Sequence, residues 1–249
     1  MTPEISIIIP AFEEEARVGD SIARILSYIA DASVQAELIV VDDGSNDRTA
    51  LVAERAFERA GNIATKVIRY EQNRGKGFAV KTGLLAASAG IALFSDADLS
   101  TPIEELPKLV EPIRRGEYDL TFGSRALDRS LIGTHQPWRR EQGGKVFNLV
   151  VRTLTQMPFW DTQCGFKAFN MTKFRPMLDL MQIERFGFDV EFLYVAHLRG
   201  LRLKEIPVRW NNDERSKVSV VRDSARMFKE VTEIRRNAKR GVYNHDSKT

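Results

Sequence analysis

Two aspartates one residue apart, Asp96 and Asp98, close the apolar run Ile91-Ala92-Leu93-Phe94-Ser95. The run reads as a buried strand, so the two carboxylates stand where it leaves its sheet. In an open parallel sheet, ligands bind just beyond the carboxyl ends of the strands. Two carboxylates at such an edge suit a hard divalent cation, Mg²⁺ or Mn²⁺, which takes oxygen ligands and bridges to the phosphates of a substrate. An Asp-x-Asp pair is also ordinary turn and capping chemistry. Its meaning depends on what else ends at the same edge.

Other strand ends carry polar residues of the same kind. Ile5 to Ile9 is an unbroken β-branched run that stops at Pro10 and Phe12, and Glu13, Glu14 and Glu15 then read as opening an amphipathic helix with apolar positions at Val18, Ile22, Ile25, Leu26 and Ile29. Leu38 to Val41 is a second buried strand that delivers Asp42 and Asp43; a helix follows from about Arg48 to Ala60, with Asp47 as its cap. Lys66 to Tyr70 is a third strand, and Asn73-Arg74-Gly75-Lys76-Gly77 is a basic, Gly-rich turn into the next helix. The turn looks like a phosphate loop but lacks the Walker spacing. After Asp98, Thr101-Pro102 opens a helix over 103–115, and Leu120 to Gly123 is a fifth strand closed by Ser124 and Arg125. Strands alternating with helices predict an α/β domain with a mostly parallel central sheet and helices on both faces.

The second half is less regular. Residues 130–142, with Trp138, Arg139 and Arg140, read as a loop, and 145–154 as a helix. Asp161-Thr162-Gln163-Cys164-Gly165-Phe166-Lys167 leads into a short strand. Helices are expected at 172–181 and 189–199, an edge strand at 202–210 interrupted by Pro207, and a basic amphipathic helix at 221–238 before a frayed end.

Composition bounds the partners. The 249 residues are 43% hydrophobic, enough for one large α/β domain. A net charge of +3 is too mild to argue for nucleic acid. The lone Cys164 permits no internal disulfide, which fits a reducing compartment, and it reads as a packing residue. His135, His197 and His245 show no metal-ligand spacing. The first strand begins near residue 5, leaving no room for a signal peptide, and no apolar run approaches the roughly 18 residues of a spanning helix. The expected protein is soluble and cytoplasmic, or peripheral on the cytoplasmic face of a membrane. Trp138, Phe147, Leu149, Val150, Val151, Leu154, Phe159 and Trp160 lie among Arg139, Arg140, Lys145 and Arg152, a mixture that suits an interfacial helix on anionic lipid and equally a core helix with a solvated face.

Taken in order, Pro10-Ala11-Phe12-Glu13-Glu14, Val41-Asp42-Asp43-Gly44-Ser45, Asn73-Arg74-Gly75-Lys76-Gly77, Asp96-Ala97-Asp98 and Gly123-Ser124-Arg125 resemble the family 2 glycosyltransferases, the inverting GT-A enzymes that use nucleotide-sugar donors. The stretches Asp161 to Lys167, Phe188-Asp189-Val190-Glu191 and Ser216-Lys217 resemble the dolichyl-phosphate β-glucosyltransferase branch in particular. The mannosyl branch usually has an arginine shortly before the Ser-Lys pair, where this chain has Asn211-Asn212-Asp213.

The resemblance implies a hexosyltransferase that uses Mg²⁺ or Mn²⁺ and a nucleotide-sugar, UDP-glucose foremost, with a polyprenyl or dolichyl phosphate as acceptor. A soluble acceptor and GDP-mannose are its alternatives. It implies a single catalytic domain over 1–240, with a nucleotide-binding half (1–125), an acceptor-binding half (126–240) and a flexible tail (241–249). Asp98 would hold the metal, with Asp96 assisting it or holding the ribose. Asp43 would meet the base, with Asp42 sharing that role or orienting the loop; Pro10 and Phe12 would pack on it; Glu14 would hydrogen-bond base or ribose. Val41 and Ala97 would line the nucleotide pocket, and Lys76 would contact the donor. A polyprenyl phosphate is already ionised near neutral pH, so the reaction needs cations more than a base. Arg125, Lys217 and one of Arg139 or Arg140 are the candidate cations. Asp189 and Glu191 are candidate bases or shapers of the acceptor site.

Overall fold

The structure, a computed structural model, describes residues 2–134, 138–212 and 220–244. Its strands are β1 (Ile5–Ala11), β2 (Ala36–Asp42), β3 (Ala64–Arg69), β4 (Ile91–Ser95), β5 (Leu120–Ser124), β6 (Ile132–Thr134), β7 (Phe166–Asn170), β8 (Leu203–Pro207) and β9 (Trp210–Asn211). Its helices are α1 (Val18–Asp31), α2 (Thr49–Phe57), α3 (Lys76–Ala86), α4 (Leu106–Arg114), α5 (Trp138–Thr155), α6 (Met171–Phe174), α7 (Phe188–Leu198) and α8 (Val220–Lys239).

Seven strands form one sheet in the order β3-β2-β1-β4-β7-β5-β8; β6 and β9 pair separately. All pairings within the large sheet are parallel except those of β7, which runs antiparallel to both β4 and β5. The first strands alternate cleanly between two cores. Ile8 and Ile39 face one apolar cluster with α3 and α7, while Ile7, Ile9, Leu38 and Val40 face the other with α1 and α4. Burial on both faces is why these strands read as continuous apolar runs.

The connectivity creates the crevice. The chain steps outward from β1 to β2 to β3, then returns to the other side of β1 as β4. The order therefore reverses between β1 and β4, the kind of switch point at which α/β sheets open a binding cleft. The β1–β4 ladder ends at Ile8↔Phe94, so Pro10 and Ala11 continue on β2 alone. Pro10 thus sits where a missing N–H breaks no bond to β4.

Several elements differ from the sequence reading. Helix α1 starts at Val18, after Glu13 to Glu15 rather than with them. Glu13 has a φ of 54°, and the N–H groups of Glu13 and Glu14 donate to the hydroxyls of Ser45 and Thr49, at 2.8 Å each, so the three glutamates form a turn fastened to the loop after β2. The expected loop at 130–142 contains strand β6 and the first turns of α5. Of the expected flexible tail at 241–249, Tyr243 is buried and its hydroxyl donates to Glu191 Oε1 at 2.7 Å, and residues 245–249 lie outside the described residues.

Candidate active site

The turn bearing Asp96 and Asp98 is fixed by its own backbone and by three neighbours. The Asp96 N–H donates to the Gly165 carbonyl at 3.0 Å. The Ser21 hydroxyl of α1 donates to the Ala97 carbonyl at 2.6 Å. Asp98 Oδ1 accepts from the Ser100 N–H at 2.9 Å, and Leu99 between them has a φ of 47°. The Asp96 carboxylate packs against Gly165, where an added Cβ would stand 2.0 Å from Asp96 Oδ2. Because β7 is antiparallel and pairs Ser95 with Phe166, the Asp161–Lys167 stretch enters the sheet at the edge where β4 leaves it.

Asp43 joins this edge to the basic turn. Its Oδ1 accepts from the Arg74 N–H at 2.9 Å; its Oδ2 accepts from the Gly75 N–H and the Asn73 amide, at 2.8 Å each. Gly75 has a φ of +120°, and an added Cβ would stand 2.5 Å from the Glu184 carbonyl, so the glycine is required by geometry and by space. This turn is shaped by Asp43 and by segment 183–185 as well as by any phosphate. Lys76, the first residue of α3, then places its ammonium 2.6 Å from Asp96 Oδ1.

The electrostatics follow. Burial, then the charge of Asp96, raise the pKa of Asp98 above the usual carboxylate range. Burial opposes the charge on Lys76, but the Asp96 and Asp189 carboxylates outweigh that cost and raise its pKa. Beneath them, fully buried Lys167 donates to Asp189 Oδ1 and to the Cys164 carbonyl, both at 2.6 Å. Arg125, at the end of β5, meets Asp161 through two side-chain bonds of 2.7 and 2.8 Å and a backbone bond of 2.9 Å. Burial lowers Arg125's pKa and Asp161 more than restores it; Asp161 is held low despite burial by that same arginine. Burial pushes the Cys164 thiol up to about 12, which makes it an inert packing group at neutral pH.

The structure gathers Asp43, Lys76, Asp96, Asp98 and Asp189 into one connected cluster, and gives several expected residues other geometry. Asp43 accepts three hydrogen bonds from the 73–75 turn, so it shapes that turn. Buried Asp42 accepts from the Ser45 N–H at 3.0 Å and faces Arg69 at 3.5 Å. The Glu14 carboxylate is occupied by Arg17, with Nη2 at 2.6 Å from Oε1. Arg125 is neutralised by Asp161 and is no open phosphate clamp. Glu191 is buried beneath the Gln182 and Ile183 N–H groups and Tyr243, so it is a structural carboxylate and not a base. Val41 points into the core against α3, leaving only its backbone for a ligand. Ala97 is buried beside Ser21. Phe12 is 41% exposed at the β1 end of the crevice, open for stacking. Lys217 lies outside the described residues; Arg139 and Arg140 fall on α5.

Asp161 and Lys167 contact Arg125 and Asp189, respectively, and sequence reasoning gives them no individual role. The signal was available in the Asp161–Lys167 motif, whose charged ends neutralise Arg125 and Asp189. Arg17, which contributes positive potential at Asp98, carried no such signal.

The donor set fits a hard cation. Asp96 and Asp98 offer only carboxylate oxygens, and Asp98 is destabilised as an anion by its neighbour, a cost that a cation removes. Among the described residues no cluster of three or more His, Cys, Asp or Glu could hold a metal alone. The carboxylate oxygens of Asp96 and Asp98 are the chemistry that Mg²⁺ or Mn²⁺ would take, alongside oxygens of a substrate's phosphates.

A mostly parallel sheet with acidic strand ends around its switch point defines the class of fold, a GT-A sheet. The chain belongs to glycosyl transferase family 2, whose model matches residues 6–179. It is 34% identical to the dolichyl-phosphate beta-glucosyltransferase of Drosophila melanogaster, over 87% of this chain and 69% of that one. It is 32% identical to the Homo sapiens protein of the same name (94% and 75%) and 30% identical to that of Dictyostelium discoideum (93% and 73%). Among solved structures, glucosyl-3-phosphoglycerate synthase from Mycobacterium tuberculosis, in complex with Mn²⁺, UDP-glucose and phosphoglyceric acid, shares the fold with a TM-score of 0.69 at 20% identity, covering 98% of this chain and 81% of that one.

Proposed function

We propose that this protein transfers glucose from UDP-glucose to a polyprenyl or dolichyl phosphate, with inversion, as a peripheral protein on the cytoplasmic face of a membrane. The observation that carries the chemistry is the charge cluster at the β1–β4 switch point, two carboxylates with Lys76 beside them. The relatives named dolichyl-phosphate beta-glucosyltransferase support the donor and the lipid acceptor.

In this reading residues 1–125 bind the nucleotide-sugar and 126–240 bind the acceptor. Asp98 and Asp96 hold Mg²⁺ or Mn²⁺, which as a Lewis acid offsets charge on the departing diphosphate. Phe12 and Pro10 pack on the base, and Asp43 sets the wall beside it by fixing the 73–75 turn. Lys76 meets the diphosphate. Asp189, anchored by Lys167, keeps the floor of the sugar site polar and ordered. Lys217 and Arg139 or Arg140 supply positive charge for the acceptor phosphate. Two anions are thereby held for direct displacement, and no proton need be removed from the acceptor.

The test is incubation with UDP-[¹⁴C]glucose, Mg²⁺ and a short polyprenyl phosphate. Label extracted into the organic phase as a mild-acid-labile lipid is the expected result. Label appearing on added 3-phosphoglycerate instead, or GDP-mannose outcompeting UDP-glucose, would overturn the reading.

A further inference from the structure

The Lys76 ammonium lies 2.6 Å from Asp96, and its charge is also felt by Asp189 and Asp98. One cation thus stands among three carboxylates, in the field where a divalent ion must bind. Its backbone is fixed: Gly75 before it is tied to Asp43 and pressed against Glu184. The side chain beyond is four flexible methylenes carrying a point charge, able to exchange partners without moving the helix. The described protein offers a metal no complete ligand set of its own.

The geometry points to Lys76 as a resident counter-ion that keeps the Asp96–Asp98 pair closed to divalent cations until a diphosphate arrives. The diphosphate draws the ammonium off Asp96 and, in the same event, brings the oxygens that complete the metal's shell. Metal and nucleotide then bind as a coupled pair, and by reciprocity each tightens the other by the same factor. This deepens the donor-site reading above and rests on it. Its consequence is protective as well: the free protein does not capture adventitious metal, and the diphosphate licenses the site.

The experiment measures Mn²⁺ binding by the electron paramagnetic resonance signal of the free ion, with and without UDP, on the full chain. A neighbouring charge alters a carboxylate's proton affinity by about 10- to 1,000-fold, and a divalent ion feels that field more strongly. Lys76→Met should therefore bind Mn²⁺ at least about tenfold more tightly than the unaltered protein when UDP is absent. The enhancement by UDP should shrink correspondingly, while Lys76→Arg should stay close to the unaltered protein. Lys76→Gln is the second neutral variant should Lys76→Met melt early. Equal or weaker UDP-free Mn²⁺ affinity in a folded neutral variant overturns the proposal and leaves the donor-site reading standing. An unaltered protein whose Mn²⁺ affinity does not respond to UDP overturns both.

Discussion

Asp96 rests on Gly165, with no room between them for a methyl group: a Cβ there would lie 2.0 Å from one carboxylate oxygen and 2.4 Å from the other. The crowding falls on the end of a flexible side chain, so the chain can relieve it only by turning the Asp96 carboxylate away. Gly165→Ala should therefore fold, with a stability change within about 1 kcal/mol, yet lose on the order of 100-fold in metal-dependent turnover. Thermal melts and steady-state rates check the two halves. Full activity in the folded variant would contradict the placement of Asp96 at the reacting diphosphate.

Asp98 separates metal binding from folding in another way. Its Oδ1 accepts from Ser100, a bond that an asparagine carbonyl also accepts, so Asp98→Asn should keep the turn. The loss of charge should abolish Mn²⁺-dependent binding of UDP, read by calorimetry in the presence of the metal. Unchanged affinity would remove Asp98 from the metal site.

How much of this was legible beforehand depends on what each residue must do. Strands β1, β2 and β4 were plain because both of their faces are buried, and their polar ends followed directly. The insertion of β7 between β4 and β5 was not, because periodicity reveals a strand and not its neighbours. The start of α5 was hidden for a different reason. Its first turn, Trp138-Arg139-Arg140-Glu141-Gln142, shows no apolar stripe, and the buried contacts begin only at Phe147 and Val151. Charges misled most. Sequence shows a carboxylate or a guanidinium but not its partner: Arg125 reads as a candidate cation while Asp161 lies against it, and Glu191 reads as a candidate base or shaper of the acceptor site while its oxygens lie beneath Gln182, Ile183 and Tyr243.

The far edge of the sheet makes an acid-stability prediction. Asp119 accepts from Arg202 at 2.8 and 3.1 Å and from Lys173 at 2.8 Å. The hydrogen bonds from Arg202, then those from Lys173, hold its carboxyl well below the ordinary value of 3.8 even though burial opposes them. A depressed folded-state pKa gives stability that is fully present above the unfolded value and is lost as pH falls toward the folded one. Asp119→Asn should cost on the order of 1–2 kcal/mol at pH 7, discounted for the half-exposed partners, and should flatten the decline in stability below about pH 4. Urea titrations at pH 7 and pH 3 measure both; an identical acid slope in the variant would refute the assignment.

The C-terminal pin should behave as structure only. Tyr243→Phe leaves buried Glu191 without its hydroxyl donor while two backbone N–H groups remain. The expected cost is about 1–2 kcal/mol of stability with kcat and KM unchanged. A change in KM for the acceptor would return Glu191 to the active site.

The outer face of α5 decides whether this enzyme works at a lipid surface. Among the described residues no helix is long and apolar enough to cross a membrane, and the expected contact is through a helix face. That face exists: Trp138 is 72% exposed, Val146 63% and Leu149 62%, with Trp160 beyond the helix end at 55%. The Arg152 guanidinium lies 3.8 Å over the Trp160 ring, and Lys145 stands on the same side. Residues 138, 145, 149 and 152 follow helical spacing, so one stripe presents aromatic, aliphatic and basic groups together. Helix α8 packs against α5 and adds Phe228, 49% exposed beside Arg226 and Lys229. Burying a Leu- or Trp-sized side chain is worth about 1.5–3 kcal/mol, or roughly tenfold or more in partitioning. Trp138→Glu and Leu149→Glu should each reduce co-flotation with phosphatidylserine vesicles by about that factor, while transfer to a detergent-solubilised acceptor is retained. Leu198→Glu, at a residue 48% exposed at the end of α7, should float like the unaltered protein. Flotation lost equally in all three would mean a general charge effect, and flotation unaffected in the first two would place lipid contact elsewhere on the molecule.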